Sequence, residues 1–356
     1  MTVLGAALVT PLSGPLGGFG RDGAEALSLW ADEAAQLPAP YTRVELTVYD
    51  AEPDPAGAMR TAAARAPLLV FGPYGSGPAQ VAIGATDRLV WNHGGAASTL
   101  CWPRYANAIN VLSPASSYLV GPLELVRAVD PRARTAVLAH SSTGFAKDVA
   151  AGAKSAATRL GFSAQVTSFA SGRAESSARD LPDGDVLLVV GRFADEIAVG
   201  RTLLCRPWRA ATFVGAGEED VLAALGEARE GLLGPAQWMP QTAPEPDEGP
   251  DAGWFVSRFE HGAGRPPSYP AAQAFAAGVL AARALREAGA ADDAALLAVA
   301  KTLSCTTLYG AFRLDPHTGL QVGHQVVTVQ WQHGRRRVVW PESQAQVIYP
   351  RASQGR

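Results

Sequence analysis

The chain has little charge, and none of it is concentrated. Its 356 residues carry 30 Lys and Arg against 33 Asp and Glu, a net charge of −3, and charged residues make up only 18%. Nucleic-acid binding needs a basic face to neutralise phosphates, and the single basic run is Arg335–Arg337. That triplet follows His333-Gly334 between two alternating apolar segments, so it reads as a solvated hairpin turn rather than a phosphate clamp. Long hydrophobic runs are missing too. The longest, such as Val186–Val190, are strand-sized, so no membrane-spanning helix is expected. Cysteine is scarce. Cys101, Cys205 and Cys305 are widely spaced, odd in number and form no CxxC pair, which argues against a disulfide framework or a zinc site and leaves three partly buried thiols.

Catalytic signatures are lacking as well. Gly14–Gly20 and Gly72–Gly77 follow strands, but neither fits GxGxxG or a P-loop. Ser76 lies outside a GxSxG elbow because Tyr74 stands in the place of the first glycine. The histidines, His93, His140, His261, His317, His324 and His333, include no HxxxH or HExxH and read as surface or satisfied core residues. Asp50, Asp54 and Asp315 look like turn and cap residues rather than paired acids. No enzyme, metal site or cofactor is expected.

What is present is a globular composition, 47% hydrophobic, long enough for two domains of ordinary size. Near-continuous apolar runs alternate with helical patterns: strands at Leu4–Val9, Val44–Tyr49, Leu68–Phe71 and Arg88–Asn92, with helices over 22–36, 55–66 and 78–87 between them. Such strands mean a parallel sheet covered on both faces. A second set begins with a helix at Ser116–Val129. Strands follow at Thr135–His140, Ser163–Phe169, Asp185–Val190 and Thr212–Gly215, with helices over 145–160, 173–181 and 194–204 between them. Two such sets predict two doubly wound, Rossmann-like α/β lobes. The remainder, a strand at Gly231–Met239, helices over 254–262, 270–288 and 292–302, and antiparallel strands at Gly310–Leu314 and within His324–Trp340, must return to complete them.

Ligands of open parallel sheets bind beyond the carboxyl ends of the strands. The loops to inspect are therefore 11–20, 72–77, 93–98, 141–145, 191–193 and 215–219. Ser76 lies just before a helix expected to open at Pro78. Its hydroxyl and the nearby free N–H groups suit a carboxylate, the alternative being a plain helix cap. The bare stretch from His93 to Ala97 offers either ligand-binding main chain or a tight turn. Phe19, Phe145, Phe193 and Trp238 fall in or beside these loops, as apolar walls for a ligand or as core.

The ordered set Pro11-Leu12-Ser13-Gly14-Pro15, Phe19-Gly20, Val48-Tyr49-Asp50 with Asp54-Pro55, Phe71-Gly72-Pro73 with Gly75-Ser76, Pro267-Ser268-Tyr269, Tyr309-Gly310 and Leu314-Asp315-Pro316 resembles the type I periplasmic binding proteins. The nearest branch is the leucine/isoleucine/valine-binding receptors of branched-chain amino acid ABC transporters. The resemblance implies two lobes, 1–115 plus 240–322 and 116–239 plus 323–356, joined by a three-crossing hinge with a ligand cleft between them and closing on the ligand. It places the first aromatic at Phe19, the carboxylate-binding serine at Ser76 and the main-chain contacts at Gly94 to Ala96. The second lobe's aromatic falls on Phe145 and the next contact on Arg192 or Phe193. An acid that would hold an α-ammonium falls near Gly217, where Glu218 is the nearest carboxylate; otherwise the ligand lacks an α-ammonium and Arg192 points to a second anionic group. The implied role is a monomeric solute-binding subunit that delivers a small amino acid or related carboxylate to ABC permease subunits. It would be periplasmic or lipid-anchored at the cell surface if a signal has been trimmed. Without a secretory leader ahead of Thr2, a cytosolic small-molecule sensor of the same fold, regulating a partner protein, is the alternative.

Overall fold

The run from Leu4 to Val9 has no polar alternation, and it becomes a strand whose second half is wholly buried, β1 (Thr2–Thr10). The computed structural model describes residues 2–347 and 349; Met1, Ile348 and 350–356, the outer ends of the two expected lobes, lie outside the described residues. After β1 come α1 (Gly17–Leu29), extended by a π-helical turn at Trp30–Ala34, then β2 (Tyr41–Asp50) and α2 (Pro55–Ala64). Next are β3 (Leu69–Phe71), α3 (Ser76–Ile83), β4 (Val90–Asn92) and β5 (Ala108–Asn110). Asp54 caps α2 by accepting the Gly57 N–H at 2.9 Å, and Pro55 occupies the first helical position.

A second set follows: α4 (Val120–Val129), β6 (Thr135–Ser141), α5 (Gly144–Arg159), β7 (Ser163–Phe169), α6 (Ala174–Arg179), β8 (Val186–Val190), α7 (Phe193–Leu203), β9 (Ala210–Phe213) and β10 (Leu233–Ala236). The chain then adds α8 (Ala252–Ala263), α9 (Tyr269–Ala288), α10 (Asp293–Thr302), and the hairpin β11 (Ser304–Thr307) and β12 (Gly310–Arg313). It ends with the hairpin β13 (Val327–Gln332) and β14 (Arg335–Trp340).

These elements divide into two units, Met1–Pro114 with Trp238–Gln325 and Ala115–Gln237 with Val326–Arg356. The first holds a parallel sheet of order β2-β1-β3-β4-β5. The second holds β7-β6-β8-β9-β10, also parallel, extended by antiparallel β13 and β14. Both parallel sets therefore share one doubly wound order, and each has its switch point where two consecutive connections leave in opposite directions, at β1/β3 and at β6/β8. Strand ends are in register: Thr10 pairs with Asp50, Phe71 with Trp91 and Asn92 with Asn110. The loops that follow consequently leave the first sheet from one edge.

The Ala-rich helix α9 is buried almost all round, and its small residues have a packing reason. A Cβ at Gly278 would come within 2.3 Å of the Trp30 indole, so the helix and that ring approach more closely than any other residue allows. Departures from the sequence pattern are local. The expected strand at 212–215 stops at Phe213 and turns 3-10 over Val214–Gly217. The expected helix from Ser116 is a 3-10 turn at Ala115–Ser117 followed by α4. β5 and β11, of three and four residues, carried no periodic signal. All three thiols are free; Cys305 is buried and Cys101 half-buried, whereas Cys205 is exposed, against the expectation that all three are partly covered. Among the described residues no helix is long and apolar enough to cross a membrane.

Candidate functional site

In the first unit, the loops after β1, β3 and β4 converge at the carboxyl edge of the sheet. The loop after β1 is tied down by Asp50, whose carboxylate accepts the Leu12 N–H at 2.9 Å and the Ser13 hydroxyl at 3.1 Å. The Leu12 amide is the main reason the Asp50 carboxyl lies below its usual range. The loops after β3 and β4 touch main chain to main chain. Gly75 N–H donates to the Gly94 carbonyl at 2.9 Å, and a Cβ on Gly94 would lie 2.4 Å from Tyr74 Cα. Asn92 stitches its own loop, accepting the Gly95 N–H and donating to the Gly95 carbonyl, both at 2.8 Å. Gly94 therefore serves the close approach of the two loops, which a side chain there would prevent.

Helix α3 begins at Ser76, not at Pro78, and Gly75 occupies the cap with φ of 94°. Ser76 is therefore the first helical residue and no longer reads as a plain cap. The residue is 8% exposed at a helix N-terminus, where the first amides lack intrahelical partners. Beside it three aromatic rings assemble: Phe19 lies 5.0 Å from Tyr74 and 6.3 Å from Tyr269, and the two tyrosine hydroxyls hydrogen-bond to each other. Trp238 sits elsewhere. It is buried, its ring 5.9 Å from Phe255 and its indole N–H on the Leu308 carbonyl at 2.9 Å, so its polar and apolar needs are met within the core. His93 corrects the expectation of a satisfied or surface histidine: it is fully buried and neither ring nitrogen has a partner among the described residues.

In the second unit, Thr143 caps α5 through the Ala146 N–H at 3.3 Å. The half-buried Phe145 follows, its ring 5.7 Å from Tyr118 in an edge arrangement. Arg192 is the N-cap residue of α7 and is exposed; Phe193 is half-buried at the first helical position. Gly217 carries no side chain for a physical reason: a Cβ there would lie 1.9 Å from the Pro235 carbonyl oxygen. Glu218 lies 3.8 Å from the Arg336 guanidinium, which also binds Glu219 at 3.0 Å and hydrogen-bonds the Gly217 carbonyl. The basic triplet is accordingly only partly the solvated turn expected of it. Arg335 and Arg337 are exposed, but Arg336 has 17% of its side chain exposed and neutralises the acidic turn.

The structure thus gathers Phe19, Ser76, Gly94 and Ala96 at one edge of the first unit, and places Arg192 and Glu218 in loops, and Phe145 and Phe193 in the first helical turns, that follow strands of the second. Tyr74, Tyr269, Tyr118 and Arg336 were missed as site residues. Tyr74 had a signal, since it lies in the 72–77 loop, and Tyr269 closes the Pro267-Ser268-Tyr269 motif; Tyr118 lies in none of the loops singled out. Arg336 had none, because nothing in a hairpin triplet distinguishes the arginine that folds inward.

The profile of the periplasmic binding protein family matches residues 5–336, and the chain belongs to that family. Its fold is that of the leucine-binding protein LivK of Thermotoga maritima, at a TM-score of 0.79 with 18% identity over 94% of this chain and 97% of the other. A solute-binding protein of an ABC transporter from R. palustris, in complex with benzoate, matches at 0.75 with 16% identity over 99% of this chain and all of the other, 100%. The branched-chain amino acid transporter substrate-binding protein LivJ of Streptococcus pneumoniae, in complex with isoleucine, matches at 0.76 with 15% identity over 96% and 100%.

Proposed function

We propose that this chain is the solute-binding subunit of an ABC transporter of the branched-chain amino acid type, and that it binds a small carboxylate with a planar or apolar body by hinge closure. The observation that carries the reading is the open N-terminus of α3 at Ser76 beside the Phe19, Tyr74 and Tyr269 rings. A helix N-terminus with a free hydroxyl suits a carboxylate, and the rings suit its body. Phe145, Phe193 and Arg192 are the second unit's contributors. The partners are permease subunits, and the working compartment is extracytoplasmic.

An α-ammonium finds little support. Gly217 has no room for an acidic side chain, and Glu218 and Glu219 face Arg336. The preferred ligands are therefore organic acids without an α-amino group, the class represented by the benzoate bound to the R. palustris protein, with aliphatic amino acids as the alternative. A thermal-shift series with benzoates, leucine and isoleucine at about 1 mM tests this, since a thousandfold excess over Kd stabilises by about 4 kcal/mol. Stabilisation by leucine or isoleucine but by no benzoate would sink the preference. For the acid that binds, Ser76→Ala is expected to weaken affinity by about 1.5–3 kcal/mol, roughly ten- to 150-fold. Unchanged affinity would move the anchor away from Ser76.

A further inference from the structure

Two adjacent acids at the start of α7 are buried: Asp195 is 5% exposed and Glu196 fully covered. Their partners are not side chains but loop amides. Asp195 Oδ1 accepts the Gly172 N–H at 3.2 Å, in the loop after β7. Glu196 Oε1 accepts the Gly191 N–H at 3.2 Å, in the loop after β8, and Oε2 accepts the Gly215 N–H at 2.8 Å, in the turn after β9. One helical turn therefore ties down the segments that follow three strands of the second sheet. Two of those segments carry Arg192, Phe193 and Glu218. Gly215 is fitted to the clamp, since a Cβ there would stand 2.9 Å from Glu196 Oε2.

We propose that Asp195 and Glu196 are positioning residues that fix these three loops relative to one another, and so set the placement of Arg192 and Phe193 toward the ligand. The inference rests on the proposed ligand-binding role. A solely structural pair would not be expected to reach three different loops on the side where ligands of this topology bind. In the same unit Ala174 and Ala178 of α6, Val189 of β8, Val199, Ala216 and Leu222 belong to one buried apolar cluster. Burial is the main cause of the Glu196 carboxyl being pushed up to about 8; its two amide partners pull the other way, and the Asp195 charge adds to the rise.

The test measures amide hydrogen exchange by NMR, together with benzoate affinity, in Glu196→Ala, Glu196→Gln and Asp195→Asn. Glu196→Ala is expected to speed exchange at both Gly191 and Gly215 at least tenfold and to weaken benzoate at least tenfold. Glutamine has one acceptor oxygen where the carboxyl has two, so Glu196→Gln should restore protection at one of these amides and part of the affinity. Asparagine keeps the one acceptor oxygen that Gly172 uses, so Asp195→Asn should leave all three amides protected. Unchanged exchange at Gly191 and Gly215, or unchanged affinity despite its loss, overturns the proposal. If the alanine variant does not fold, the one-amide signature in Glu196→Gln decides the matter. Should the unsubstituted protein not bind benzoate, the proposed ligand class fails, while the exchange arm still decides whether the acids hold the loops.

Discussion

Lowering the pH from 7 to 4 is expected to remove about 3 kcal/mol of stability through His93 alone. Burial disfavours the imidazolium and brings the His93 pKa from 6.5 down to about 4, its own main chain offsetting only a part. The ring lies between helices. A Cβ on Gly23 of α1 would sit 3.2 Å from His93 Cε1 and 3.5 Å from Ala274 Cβ of α9. Because the folded pKa is the lower one, the unfolded chain takes up a proton first as pH falls through 6.5. The contribution is therefore complete above that value, erodes by roughly 1.4 kcal/mol per pH unit below it, and levels off near pH 4 once the folded ring also charges.

His93→Leu isolates the effect from the carboxylates, which titrate in both proteins. It removes two buried nitrogens that have no partner and is expected to add about 1 kcal/mol at pH 7. Urea midpoints at pH 7, 6, 5 and 4 for both proteins supply the comparison. The gap should widen with acidity; parallel curves would mean that the ring takes a proton without cost to the fold. His93 follows β4 directly and lies against α1 and α9, which carry Phe19 and Tyr269. Ligand affinity in the unsubstituted protein should therefore fall over the same range.

His93 also marks where sequence reading ran out. The strands that became β1, β6 and β8 were legible because sheets covered on both faces need uninterrupted apolar runs, which little else in a chain produces. Loops at the carboxyl edge followed from that topology, and Ser76 and Phe19 followed from the loops. What could not be read is contact between distant segments. Nothing in the run around Gly94 showed that Tyr74 Cα would stand 2.4 Å from where its Cβ would be. Glu196 looked like any acid in a first helical turn, although its partners lie on two other loops. Arg336 matched its neighbours in sequence and differs from them only in the turn it folds against. Such features depend on register and helix approach, which composition and periodicity do not encode.

Gly20→Ala is expected to destabilise the first unit by about 3 kcal/mol, an effect at the upper end for an added methyl group. In α1 a Cβ at this position would lie 1.7 Å from the Pro11 carbonyl oxygen and 3.0 Å from Thr10 Oγ1. Neither can yield easily. Thr10 closes β1 and is fully buried, and Gly23, one turn further along α1, is set against α9 near Ala274. The helix must move by more than an ångström, and Phe19, one residue earlier, moves away from Tyr74 and Tyr269 with it. Alanine's better helix propensity returns only about 1 kcal/mol, so the overlap wins. Gly18 supplies the control, because nothing lies within 4 Å of a Cβ there, in the same turn of the same helix. Gly18→Ala should therefore stabilise by roughly 0.5–1 kcal/mol. Melting curves of the two variants should move in opposite directions from the parent, with benzoate affinity lost only in Gly20→Ala. Two shifts of the same sign would show that the contact between Pro11 and α1 does not fix where this helix, and the ring it carries, is held.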